Sequence, residues 1–109
     1  MSVIRMLTAG KGKYKVWLKE TRHGKDVVLF LGGGRAHVGS VVVCAPGKTV
    51  KVINRKGHYD WMVAKPIAEK KSRKTKKAVV CIAGIHVNNA SKKEIEILKQ
   101  NCKAIENKI

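Results

Sequence analysis

The chain is poor in acidic residues, aromatics, proline and cysteine, and it has no long apolar run. Only 7 of its 109 residues are Asp or Glu. A pair of carboxylates working as general acid and base therefore has few places to sit, and no two stand at a recognisable spacing. No serine lies in a GxSxG elbow either. The five aromatics, Tyr14, Trp17, Phe30, Tyr59 and Trp61, form no stacking series of the RRM or cold-shock kind. No stretch approaches the ~18–20 apolar residues that cross a bilayer, and the first residues lack the basic start, apolar stretch and cleavage site of a signal peptide. The expectation is a cytoplasmic protein with no membrane partner. The three cysteines, Cys44, Cys81 and Cys102, are widely spaced and make no CxxC pair. They read as small buried hydrophobes without a disulfide, their thiol pKa values raised by burial.

What is present in excess is positive charge. Twenty-four Lys and Arg give a formal net charge of +17 and a pI near 10.2. A domain pI above ~9 is the usual electrostatic footprint of nucleic-acid binding, though net charge speaks of association and not of any one site. An apolar content of 44% is too high for a disordered chain. The expectation is one domain over residues 1–109, long enough for a single core.

Hydrophobic spacing supplies the elements. A short apolar run from Val3 to Thr8 ends at Gly10, and Gly10 to Lys13 reads as a turn. Tyr14 to Glu20 alternates as a half-buried strand. His23 to Asp26 then connects it, hairpin fashion, to the continuous apolar run Asp26 to Leu31, which suits a central strand buried on both faces. Gly32-Gly33-Gly34 interrupts the pattern. A β-branched strand resumes from Ala36 to Cys44 and ends at Pro46-Gly47, and a further strand runs from Thr49 to Asn54. Asp60 to about Arg73 has helical spacing, with Pro66 placed to start the regular helix, because proline is tolerated in a first turn and not in a helix interior. Ala78 to Ala83 is another strand. Ser91 and Glu94 have capping-box spacing, and Ile95, Leu98, Cys102, Ile105 and Ile109 recur at intervals of three and four. The fold class is α+β: a mixed or antiparallel sheet with two helices on one face, the C-terminal helix amphipathic.

Four histidines stand at element ends: His58 directly follows Gly57, His37 follows the glycine triplet by three residues and His86 follows Gly84 by two, while His23, which precedes Gly24, is set apart from them. Imidazole is the commonest metal ligand, and three rings meeting from separate strand ends would leave an open coordination position. A histidine at a turn is nonetheless more often a satisfied surface residue, and no HExxH pattern is present. Gly32-Gly33-Gly34-Arg35 offers either an anion-binding nest of backbone amides with a guanidinium or a plain turn between strands. The run Lys70, Lys71, Arg73, Lys74, Lys76 and Lys77 reads as a solvated basic helix end, with a nucleic-acid backbone as the sharper alternative.

The segments from Gly32 to Val41 and from Val79 to Ala90, with Ala36-His37-Val38-Gly39-Ser40-Val41 and Ala83-Gly84-Ile85-His86 at their centres, resemble the LpdD-like prenylated-flavin chaperone family over almost the whole chain. Val38 stands where that family usually has Ile, and the lysine enrichment is not a family hallmark. The resemblance implies a non-enzymatic, metal-dependent binding protein for reduced prenylated FMN. It implies a homodimer that assists maturation of a UbiD-type decarboxylase. It assigns a divalent metal ion, zinc among the candidates, to His37, His58 and His86. Gly33, Gly34, Arg35 and Lys65 would contact the flavin phosphate. The alternative from another class is a basic nucleic-acid-binding module centred on the lysine run; a small metal-dependent hydrolase using the same histidines is a third.

Overall fold

The computed structural model describes residues 3–46 and 48–109; the turn position expected at Gly47 lies outside them. Six strands form one sheet: β1 (Arg5–Ala9), β2 (Val16–His23), β3 (Asp26–Gly34), β4 (Ser40–Ala45), β5 (Lys48–Asn54) and β6 (Val79–His86). Two helices complete the chain, α1 (Trp61–Thr75) between β5 and β6, and α2 (Lys92–Asn107) at the end. The strand order is β1-β2-β3-β6-β4-β5, so β6 is inserted between two strands that are neighbours in sequence. β3 and β6 are parallel and every other pair is antiparallel, which makes the sheet mixed. No described helix is long and apolar enough to cross a membrane.

Alternation along each strand sends one set of side chains to the helices. Val16, Leu18, Val27, Leu29, Leu31, Val42, Val79 and Cys81 are buried there against Ala64, Ile67 and Ala68 of α1 and Leu98, Cys102 and Ile105 of α2. β3 is central but is not buried on both faces as its run of apolar residues suggested. Val28 and Phe30 are only half-buried, because both helices lie on the opposite side of the sheet. The three cysteines are free and buried. Burial pushes all three thiols up, that of Cys102 to about 12, which removes them as nucleophiles.

Three local expectations change. The glycine triplet continues β3 instead of breaking it, and the next strand begins only at Ser40, four residues after Ala36. α1 starts at Trp61 and carries Pro66 inside it. The start is fixed from outside the helix: the buried Ser40 Oγ accepts from the Trp61 N–H at 3.1 Å and donates to Asn54 Oδ1 at 2.5 Å. Burial of Ala64, Ile67 and Ala68 then offsets the one amide that Pro66 lacks. Ser40→Ala is expected to cost about 1–2 kcal/mol in denaturant unfolding, since it removes this cap and leaves the half-buried Trp61 amide without its partner. A loss under 0.3 kcal/mol would contradict that role.

α2 is capped as its spacing predicts: Ser91 Oγ accepts from the Glu94 N–H and Glu94 accepts from the Ser91 N–H. Glu94 also accepts from the Tyr14 hydroxyl at 2.8 Å and pairs with Lys13 at 2.7 Å, so the 3-10 turn Gly12–Tyr14 before β2 is clasped to α2. Lys13, the Ser91 amide and Tyr14 together hold the Glu94 carboxyl well below its ordinary 4.5, at about 2. A depressed carboxylate contributes stability that is present above the unfolded value and lost as pH falls through the folded one. The melting-temperature advantage of wild type over Glu94→Gln is therefore expected to be constant above pH 5 and to vanish between pH 4.5 and 2. An advantage that persists at pH 2 would rule the clasp out as its source.

Candidate functional site

The topology explains why distant segments meet. Parallel pairing sets Gly34 beside His86, so β3 and β6 end together. β4 starts at that same end, with Ser40 opposite Ala83, and β5 returns to it, with Asn54 opposite Ser40. The β3–β4 connection brings His37, the β5–α1 connection brings His58, and β6 brings His86 as its last residue. His37 sits between the other two, its ring centroid 5.1 Å from that of His58 and 6.2 Å from that of His86. His23 closes the β2–β3 hairpin at the far end of β3 and takes no part.

Glycines permit the close approach. A Cβ on Gly84 would fall on the backbone of His37, and one on Gly34 on the carbonyl of His86. A Cβ on Gly39 would meet the carboxylate of Asp60, with His58 Cδ2 at 2.9 Å. Polar ties then lock the two connections to each other and to β6. The Arg55 guanidinium donates to the Val38 carbonyl at 3.1 Å, and the Ile85 N–H, beyond the reach of β4, donates to Asp60 Oδ1 at 3.1 Å.

Each imidazole has one nitrogen engaged with an acceptor. Nδ1 of His37 lies 3.1 Å from the Arg35 carbonyl, Nδ1 of His58 lies 3.0 Å from the Lys56 carbonyl, and Nε2 of His86 lies 2.9 Å from Asn88 Oδ1. A carbonyl oxygen only accepts, so in the neutral ring that nitrogen carries the proton and the other keeps its lone pair. Nε2 of His37 and His58 and Nδ1 of His86 are thus the free lone pairs, the tautomers that a metal-binding imidazole has when its second nitrogen is held by an outer acceptor. Among the described residues no three His, Cys, Asp or Glu side chains stand in an arrangement that itself holds a metal ion. The donor chemistry fits a cation, while the rings are adjacent and not yet convergent on one point.

The three histidines rim a cavity of about 590 Å³, within the usual range for small-molecule and cofactor sites. Its walls are apolar: Val63, Ile85, Val87 and Leu98 line it, and Tyr59 and Met62 form a lip that is 71% and 50% exposed. Asp60 lines it too and was not anticipated from the sequence as a site residue, although it stands two residues after His58. A second, smaller cavity of about 320 Å³ shares His86 and Val87 with the first and is lined also by Lys13, Gly34 and Arg35.

The expected phosphate contacts separate. Gly34 turns the chain at φ +59 and lines the second cavity with Arg35. Gly33 is buried within the sheet and lines neither cavity. The backbone nest does not form at Arg35, whose N–H donates to the His86 carbonyl at 3.0 Å. Lys65 lies on α1 near the Cys44 thiol and lines neither cavity. The lysine run is partly structural: Lys71 is buried in an ion pair with Glu20, and Lys70 donates to the Glu106 carbonyl near the end of α2. Arg73, Lys74 and Lys76 are the exposed members.

Comparison with known proteins adds three findings. Residues 10–109 match the prenylated flavin chaperone LpdD-like domain. No curated protein sequence matches the chain. A chain in the crystal structure of a chaperone complex for yeast 20S proteasome assembly superimposes with a TM-score of 0.54 at 11% identity, covering 97% of this chain and 98% of that one; at that identity the likeness is one of fold.

Proposed function

The chain belongs to the prenylated flavin chaperone LpdD-like family, and from that premise we propose that it binds reduced prenylated FMN together with a divalent metal ion and assists cofactor maturation of a UbiD-type decarboxylase. In this reading residues 1–109 act as one LpdD-like unit in the cytoplasm, and the protein is a carrier and not an enzyme. The observation that supports it is the cluster of three histidines, delivered by two connections and the end of β6, lining an apolar-walled cavity of cofactor size. His37, His58 and His86 would hold the metal through the nitrogens left free by their carbonyl and amide partners. A bound divalent ion supplies an open coordination position for an oxygen of the ligand. The chain's own part is to bury the flavin ring system against Val63, Ile85, Val87 and Leu98 and so keep water and oxygen from it. Met62, unbranched and adaptable, would let the lip follow the ligand.

A second copy of the chain is the proposed partner on the other side of the sheet. There Trp17, Val28, Phe30, Val41, Val80 and Ile82 are half-buried and belong to no part of the core. Sedimentation of Phe30→Lys beside wild type tests this: a dimeric wild type and a monomeric variant are expected.

The deciding experiment is metal analysis of purified wild type, His37→Ala and His86→Ala, before and after reconstitution. Wild type is expected to hold about one ion per chain and each variant at least tenfold less. A wild type that binds no metal and no flavin sinks the proposal.

A further inference from the structure

We propose that the second cavity is a phosphate site in which Lys13 and Arg35 are the two binding cations, so that a phosphate monoester sits there while its organic part enters the larger cavity across the shared wall of His86 and Val87. The identification of that organic part with a flavin rests on the functional reading above; the phosphate site does not.

The two cations come from elements far apart in sequence, the 3-10 turn before β2 and the end of β3, and meet on one cavity wall. They do so because Val16 pairs with Gly33, which brings the start of β2 to the end of β3. No side chain pairs with the Arg35 guanidinium among the described residues, and the backbone amide beside it is already satisfied by His86. Anion recognition here therefore falls to the guanidinium itself, whose forked donors match a phosphate edge. Lys13 is held in place by Glu94 at 2.7 Å. That contact occupies one of its three N–H donors and leaves two for a ligand. Among the described residues Glu94 is the one carboxylate that contacts a cation of this cavity, and Tyr14 and Ser91 also donate to it, which spreads its charge away from the cavity.

The two cavities lie side by side, with His86 and Val87 lining both, and this adjacency sets the ligand class. An inorganic anion would fill only the small cationic chamber. A ligand with an apolar ring system and a terminal phosphate fills both. Lys13 lines this cavity, whereas Lys65, the lysine that the resemblance offered for the phosphate, lines neither.

The test is calorimetric titration of wild type, Lys13→Ala, Arg35→Ala and Lys65→Ala with three probes: inorganic phosphate, FMN and riboflavin. The Lys13 side chain is 61% exposed, so its truncation leaves the core untouched. Wild type is expected to bind FMN about tenfold or more tighter than riboflavin. Lys13→Ala and Arg35→Ala should each weaken FMN and phosphate by about five- to tenfold, with riboflavin and Lys65→Ala unchanged. Phosphate binding that is absent from wild type, or unaffected by Lys13→Ala, overturns the proposal. If wild type binds phosphate through Lys13 and Arg35 yet neither flavin binds, the phosphate site stands and the flavin reading falls.

Discussion

Replacing Gly84 by alanine is expected to destabilise the protein by about 3–5 kcal/mol and to abolish ligand binding at the histidine cluster, because the new methyl group would occupy the space of the His37 backbone. Gly84 is buried in β6, and the atoms a Cβ would strike are His37 O, C and N, the last at 3.0 Å. Backbone cannot rotate away as a side chain can. Relief requires lifting the β3–β4 connection off β6, and that connection is tied down by Gly39 N–H to the Ala83 carbonyl at 2.8 Å and by Arg55 to Val38. The informative control is Gly57→Ala, beside His58. Nothing lies within 4 Å of its Cβ position, so only its φ of +78 is strained and the cost should be about 1 kcal/mol. Denaturant unfolding of the two variants side by side separates steric collision from left-handed strain. Equal costs would mean that close backbone approach at Gly84 is not what seats His37.

Removal of Lys71 is the second large effect, expected near 3 kcal/mol. Its ammonium lies 2.6 Å from Glu20 Oε1, and both residues are buried at 7% and 5% exposure. Truncating one partner leaves a buried charge short of compensation, which typically costs about 3–5 kcal/mol. Arg22 still reaches Glu20 Oε2 at 3.0 Å, which places the expected cost at the lower end of that range. The double variant Glu20→Leu with Lys71→Met removes both buried charges and should recover most of the loss. If Lys71→Ala unfolds within 0.5 kcal/mol of wild type, the pair carries no structural weight and the lysine run is solvated throughout.

That ion pair also shows where sequence reading stops. In the run from Lys70 to Lys77 every lysine looks alike, and only the placing of α1 on the sheet, which lets Lys71 reach Glu20 of β2, distinguishes Lys71, paired with a carboxylate 51 positions earlier, from the exposed Lys74. The C-terminal helix behaved differently. Ser91, Glu94 and the apolar spacing from Ile95 onward are local signals, and the cap and buried face follow from them directly. Pro66 misplaced the start of α1 because the group that fixes it, the Ser40 hydroxyl, belongs to a strand 21 positions away. The same holds at the site. His37, His58 and His86 could be picked out by their positions at strand ends, whereas Asp60, Gly84 and Lys13 could not, since their roles lie in contacts with residues remote in sequence.

The sequence by itself determined the element types, the α+β class and the family resemblance, and offered three histidines at strand ends as candidates, because hydrophobic period, turn chemistry and capping act within a few residues. Tertiary structure alone decided that β6 enters between β3 and β4, and with it everything that depends on that insertion. The parallel β3–β6 pair brings two connections to one end of the sheet, glycines let their backbones touch, and an apolar cavity opens beside a cationic one. The excess of positive charge divides likewise. Composition set its size, but only the fold separates the cations that hold the protein together from Lys13 and Arg35, which face a cavity, because a charge acquires a role from what it is placed against.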